Sequence, residues 1–245
     1  MTRLPFSFRS VGCRAKVRGL TQKGFTLIEM LIAITLMAVL AGLSWRGIDG
    51  LMRARDVTQA RVNQVAVVQT VLAQWQADLD ALQTSSVSVS GLQWDGRVLR
   101  MVRRASNWRT DGSDPGLWVV GWTLRAVGTA DNSNGQWVRW QSPNLQDAAQ
   151  LREAWAQAEQ WGQNPSSNDA VRETLLIPLS QWQITYFRGN AWTNPLSSAD
   201  GKSNDASKAE LPDAIRLQVD LPSSTGVNGR LTLDWVRPNF SNTKS

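Results

Sequence analysis

An apolar run from Phe25 to Leu43 carries a single carboxylate, Glu29, and begins in the order Lys23-Gly24-Phe25-Thr26-Leu27-Ile28-Glu29-Met30. No other feature restricts the chain so tightly. As a helix rising 1.5 Å per residue, the run spans about 28 Å, enough to cross the hydrocarbon core of a bilayer. A carboxylate inside such a segment costs about 2.5 to 3.5 kcal/mol on insertion scales, so it needs a partner. Ahead of the run lie Arg3, Arg9, Arg14, Lys16, Arg18 and Lys23, with no acidic residue among positions 1–24. A basic flank of this kind is held in the cytoplasm, which sends the rest of the chain across the membrane.

The flank also changes how the composition is read. The chain has 26 Lys and Arg against 20 Asp and Glu, and taking away the six cations of residues 1–24 leaves 20 of each sign. The basic character therefore belongs to the leader, and the remainder is close to neutral, which argues against a nucleic-acid partner. Cys13, the one cysteine, is also in the leader. Without it there is no disulfide and no thiolate metal site in an oxidising compartment.

The pattern Gly24-Phe25-Thr26-Leu27-Ile28-Glu29 resembles the class III signal of type IV pilins and pseudopilins. The resemblance implies that a prepilin peptidase cuts after Gly24 and that Phe25 becomes the N-methylated new N-terminus. It further implies that Glu29 meets the N-terminal amine of a neighbouring subunit during filament assembly. A secretory signal peptide, cleaved near Ala38-Val39-Leu40-Ala41, is the competing reading, and an uncleaved single-span anchor is another. Glu29 within the hydrophobic region counts against the signal peptide, as does the direct run into a long helix.

Beyond Leu43 the helical pattern continues. Val62, Val65, Val68, Leu72, Trp75, Leu79 and Leu82 recur at spacings of three and four and share one face. Asp49 and Arg53 stand in the favourable acid-first order, four apart. No proline interrupts residues 25–82, so one helix of roughly 85 to 90 Å is expected. Gly42, Gly47 and Gly50 each lower helix stability by about 1 kcal/mol, which predicts local melting or bending there.

From Ser86 the chain reads as strands. Leu92–Trp94 and Arg97–Val102 flank Asp95-Gly96, a two-residue hairpin signal. Further strands are expected at Leu117–Arg125, Gln136–Gln141, Thr174–Leu179, Trp182–Arg188, Ile215–Leu221 and Arg230–Val236. A helix between them is capped by Asn144, presents Leu151, Ala154, Trp155 and Ala158, and ends at Gly162. The composition of Ser197–Glu210 predicts a mobile polar loop. The expected fold is α+β: a long N-terminal transmembrane and stalk helix packed on a mainly antiparallel β head, pilin-like. Its parts are a leader (1–24), a transmembrane stretch (25–43), an amphipathic extension (44–84) and a head (85–245) with a polar loop at 197–210.

The chemistry-bearing patterns are few. The chain has no histidine, which removes a Ser-His-Asp triad, a Cys-His pair and an imidazole zinc site. No catalytic residue and no cofactor are expected. Gly201-Lys202-Ser203 looks like the end of a phosphate-binding loop, but Leu196 stands where its first glycine belongs. Asp131–Gly135 resembles a calcium loop, yet Ser142 stands where the bidentate glutamate belongs. Asp111, Asp114, Asp200 and Asp205 are the acidic residues that could meet calcium across loops, as in some relatives; no fixed spacing organises them, and no metal is expected.

All thirteen tryptophans follow the leader. Core and sheet-face packing accounts for most. In Trp137-Val138-Arg139-Trp140, alternation sends Trp137 and Arg139 to one face and Trp140 to the other. One tryptophan is therefore expected at the surface, and Trp137, Arg139 and Trp140 form a candidate protein interface. Arg97, Arg100, Arg103, Arg104 and Arg109 are the one basic cluster that base stacking on single-stranded DNA would require.

Two further stretches narrow the resemblance. Trp45–Arg55 is similar to the segment after the membrane span in J-type minor pseudopilins of type II secretion, and Leu211–Leu217 to a late strand of the same proteins. The 221 residues after Gly24 also suit that type. The resemblance implies a non-enzymatic tip subunit that assembles with I- and K-type partners and the major pseudopilin in the inner membrane, its head in the periplasm, after processing by prepilin peptidase. A minor pilin that primes a type IV pilus is the alternative. A membrane-anchored periplasmic module whose tryptophans hold a carbohydrate or peptide is the second.

Overall fold

The computed structural model describes residues 24–83, 89–105, 116–126, 135–197 and 211–238. Two compact units are distinguished, with the boundary after Arg55. The first helix, α1 (Leu27–Asp80), is 54 residues long. It runs through Gly42, Gly47 and Gly50 unbroken, so the expected melting is absent: helix propagation is cooperative, and well-formed turns on either side carry three isolated glycines. Every described residue of the first unit is exposed.

Among the described residues nine strands follow, β1 (Leu92–Trp94), β2 (Val98–Arg104), β3 (Leu117–Ala126), β4 (Gly135–Gln141), β5 (Glu173–Leu179), β6 (Gln181–Arg188), β7 (Ala191–Thr193), β8 (Ala214–Leu221) and β9 (Gly229–Val236). They form a five-stranded sheet in the order β1-β2-β3-β4-β5 and a four-stranded sheet in the order β7-β6-β8-β9. All pairings are antiparallel. The architecture is α+β, a long apolar N-terminal helix followed by antiparallel sheets, as the periodicities predict.

Each expected strand is present, all within one residue at either end except β2, which runs two residues past Val102 to Arg104. The β1–β2 turn is closed by Asp95, whose carboxylate accepts from the backbone N–H groups of Arg97 and Val98 at 2.8 Å each. The short strand β7 goes beyond the sequence reading. Its turn is Gly189-Asn190, with φ of 55° and 67°. Two residues at positive φ are what a two-residue hairpin requires, and Gly-Asn supplies them.

Helix α2 (Ala148–Gln163) starts one turn later than expected, because Asp147 rather than Asn144 caps it, accepting from the N–H groups of Ala149 and Gln150 at 2.8 Å. It also continues through Gly162. That glycine serves packing instead: a Cβ there would stand 2.6 Å from Cβ of Val98, and one at Gly121 would stand 3.0 Å from the Trp161 ring. Two missing side chains let α2 lie directly on the five-stranded sheet.

Two cores result. One lies between α2 (Leu151, Ala154, Trp155, Ala158, Trp161) and one face of the five-stranded sheet (Val98, Val102, Val119, Val138, Trp140). The other joins the late turns of α1 (Val68, Val71, Trp75, Leu79) to the opposite face of that sheet and to the inner face of the four-stranded one. Trp75 stands at its centre, with ring centroids of Trp122, Trp137 and Trp182 at 5.2, 5.6 and 6.4 Å. The predicted stripe on α1 is buried at Val68, Trp75 and Leu79 and half-buried at Val65, Leu72 and Leu82, while Val62 remains 54% exposed.

Candidate processing and assembly site

Gly24, Phe25 and Thr26 precede the helix in exposed, non-helical chain. Phe25 is 82% exposed and nothing lies within 4 Å of a Cβ built on Gly24. The expected scissile bond, Gly24–Phe25, is thus unprotected by secondary structure. Thr26 then starts α1 through a reciprocal cap. Its hydroxyl accepts from the Glu29 N–H (3.4 Å) and donates to Glu29 Oε2 (2.9 Å), and its own N–H donates to the same oxygen (3.0 Å). This is a capping box, in which two otherwise unpaired donors of the first turn find acceptors. Its signature, Thr-x-x-Glu ahead of an apolar run, stands in the sequence beside the processing motif. Glu29 therefore has a partner within its own chain, one residue from the nitrogen that cleavage would free. In the same unit α1 is long and apolar enough to cross a membrane, with none of that stretch buried.

Residues 19–45 match the family model of the prokaryotic N-terminal methylation motif. The methylation motif supports a type IV pilin-like reading, with processing by a prepilin peptidase and assembly with pilin-family partners. A single apolar helix near the N-terminus agrees with a single-pass anchor. No curated protein matches the chain.

The candidate interface in the head is different from what alternation alone implies. Trp137 and Trp140 are both fully buried. They do point to opposite faces of β4, but the five-stranded sheet is covered on both: Trp137 enters the α1 core and Trp140 stacks near Trp161 of α2 at 6.2 Å. Neither is offered to a partner. Arg139 faces the α1 side and is committed to Asp78, a residue the sequence reading missed.

Asp78 is completely buried in the last turns of α1. Arg139 Nε donates to Oδ2 at 2.7 Å and Nη2 to Oδ1 at 2.9 Å. The Arg103 guanidinium pairs with Oδ1 as well. Trp122 Nε1–H donates to Oδ2 and Gln74 Nε2–H to Oδ1, both at 2.9 Å. Two arginines thus meet one carboxylate across the helix–sheet contact, and β2, β3 and β4 each send one donor. A buried ion of this kind persists because its lone pairs are satisfied and its charge is matched. Nearby, Trp235 Nε1–H donates to Asp80 at 2.8 Å. Carboxylates at a helix C-terminus oppose the macrodipole, so Asp78 and Asp80 carry a legible demand for outside donors.

Two members of the basic cluster are also drawn inward. Arg100 and Arg103 are buried. Arg100 is spent on Glu159 (2.7 Å), the Trp155 carbonyl (3.2 Å) and Gln93 (3.2 Å). On β3 itself, Arg125 forms a bidentate pair with Glu173 at 3.0 and 2.9 Å, and Trp161 Nε1–H donates to the same carboxylate at 3.0 Å. The Arg125 hydrogen bonds hold the Glu173 carboxyl below its ordinary range, against the opposing effect of burial.

Among the described residues no group of three or more acidic side chains could hold a metal ion. Asp111, Asp114, Asp131, Asp200 and Asp205, the Gly201–Ser203 stretch and Arg109 lie outside the described residues. A groove of about 500 Å³ lies beside the Trp94–Trp182 pair, bordered by Arg97, Thr123, Arg125 and Gln163.

Proposed function

We propose that the chain is a J-type minor pseudopilin of type II secretion, a non-enzymatic subunit of the pseudopilus tip. In this reading prepilin peptidase cuts after Gly24 and Phe25 is N-methylated. The exposed apolar part of α1 anchors the chain in the inner membrane with the head in the periplasm, and I- and K-type subunits and the major pseudopilin pack against it. The observation that carries the proposal is the methylation motif at residues 19–45 with Glu29 inside an apolar helix that buries none of its own surface. A helix apolar on all sides and uncovered by its own chain requires lipid or other helices around it. The resemblance of Trp45–Arg55 and Leu211–Leu217 to J-type subunits is what favours this reading over a type IV pilus.

Deletion of the gene tests it. The supernatant proteome should lose specific enzymes, which accumulate in the periplasm, while surface pili and twitching persist. Intact secretion with lost pili would assign the chain to a type IV pilus instead. A chain recovered with its first 24 residues still attached would refute processing and return the tryptophan-rich head to the binding-module reading.

A further inference from the structure

The two sheets present four edges, and three of them are blunted. β1 and β7 are three residues long. β5 is broken by a register shift opposite Gln136–Val138 and contains Pro178. β9 is the exception among the described residues: eight residues, an unshifted register from Ala214↔Val236 to Leu221↔Gly229, no proline and no lysine. β8 is its one strand partner, and no backbone hydrogen bond joins its other side to a described residue. A long, regular, open edge is a template for another strand, and natural sheets normally defend it.

The charges on β9 show which strand fits. Arg230 and Asp234 lie on the outer face on either side of Thr232. Each is held by a bidentate pair with β8: Arg230 with Asp220 at 2.9 and 3.0 Å, Asp234 with Arg216 at 2.7 Å twice. Read along β9 the pattern is plus, Thr, minus. Turned antiparallel about Thr232, it becomes minus, Thr, plus. We propose that β9 is a homodimer interface: a second copy of this chain adds its own β9 antiparallel, with the two Thr232 residues opposite each other on a two-fold axis.

In that register Arg230 faces Asp234 of the second copy, twice. The charges then run Asp220, Arg230, Asp234 of the second copy, Arg216 of the second copy across four strands, alternating in sign at every step. Leu231 meets Leu233 of the second copy on the inner face. Opposite charges directly across a strand pair stabilise it and like charges oppose it, so this register is selected over its neighbours. The side chains involved are already ordered by their bonds within each chain, which reduces the entropy lost on pairing.

The test uses the full chain in detergent micelles with Cys13→Ser as background. Thr232→Cys should oxidise to a disulfide-linked dimer, because directly opposed Cα atoms lie within disulfide reach. Arg230→Cys and Asp234→Cys should each cross-link several-fold less alone, since identical positions then sit about 13 Å apart along the pair, and should cross-link efficiently when mixed. Thr232→Lys, which brings two ammonium groups together, should abolish the dimer with tryptophan fluorescence unchanged. A monomeric Thr232→Cys variant would overturn the proposal. So would a mixture of the 230 and 234 cysteine variants that links no better than either alone, or a dimer that survives Thr232→Lys.

Discussion

Helix α1 contains two carboxylates that do not belong, on general grounds, where they stand. Glu29 is in an apolar, fully exposed stretch, and Asp78 is in a completely buried one. Both need partners, and both have them, but of different kinds. Asp78 is gripped by two arginines, a tryptophan and a glutamine from within the head unit. Glu29 has only Thr26. The same helix thus holds one acid whose requirements are met inside the chain and one whose charge is unmatched by any cation among the described residues. The difference separates a residue that builds the head from one whose charge is left for something outside the described residues to match.

Removing Asp78 should have the largest effect. Asp78→Ala strands two guanidinium groups next to a closed core, and breaking a buried pair in this way costs about 3 to 5 kcal/mol. Urea unfolding of the head should show that loss as a lower midpoint with little change in slope. If Asp78→Ala unfolds within 1 kcal/mol of the parent, the network is ornamental. Asp78→Asn sharpens the point, because it keeps the size and part of the hydrogen bonding while deleting the charge.

Glu173 offers an intermediate test in the other core. Its folded-state carboxyl is held below the ordinary glutamate range by Arg125. A group with a depressed folded value contributes stability that is fully present above its unfolded value, near 4.5. That contribution is lost as pH falls through the folded value. The parent should therefore lose stability on acidification below about pH 4.5 more steeply than Glu173→Gln. Parallel pH profiles for the two would remove Glu173 from the account. A smaller loss is expected at the α2 cap: Asp147→Ala should cost about 1 kcal/mol in thermal or urea unfolding.

The contrast between the two acids also explains what could be read in the sequence. Period-two alternation located Ile215–Leu221, and period-three-and-four spacing located Val68–Leu79, because each reports a local repeat against a buried surface. The same rule misplaced Trp137 and Trp140. Alternation says which residues share a face, not whether the other face is covered, and here α2 covers it. Gly162 was legible as a helix stop only because the alternative, a glycine that lets a helix touch Val98, depends on a strand 64 positions earlier. Asp78 escaped for a similar reason: its arginines come from β2 and β4. Glu29 was visible because its oddity is local, an acid in a lipid-length apolar run, and its cap with Thr26 is only three residues long.

The smallest effect on stability should come from Glu29, and that is what makes it informative. Glu29→Ala removes the carboxylate acceptor from the Thr26 N–H and hydroxyl but touches nothing in the head unit. Urea unfolding of the head should be unchanged within 0.5 kcal/mol, the ordinary range for a surface substitution. Cleavage after Gly24 should also proceed, because the exposed Gly24–Phe25 segment does not depend on the cap. Incorporation into the filament should nevertheless fail, since a neighbouring subunit's amine then has no carboxylate to meet inside lipid. Glu29→Gln separates the two roles of the residue: it keeps an oxygen for the Thr26 N–H but carries no charge. A Gln variant that assembles like the parent would assign Glu29 to helix capping alone. A Gln variant as defective as Ala, with an unaltered head, would assign it to charge pairing between subunits.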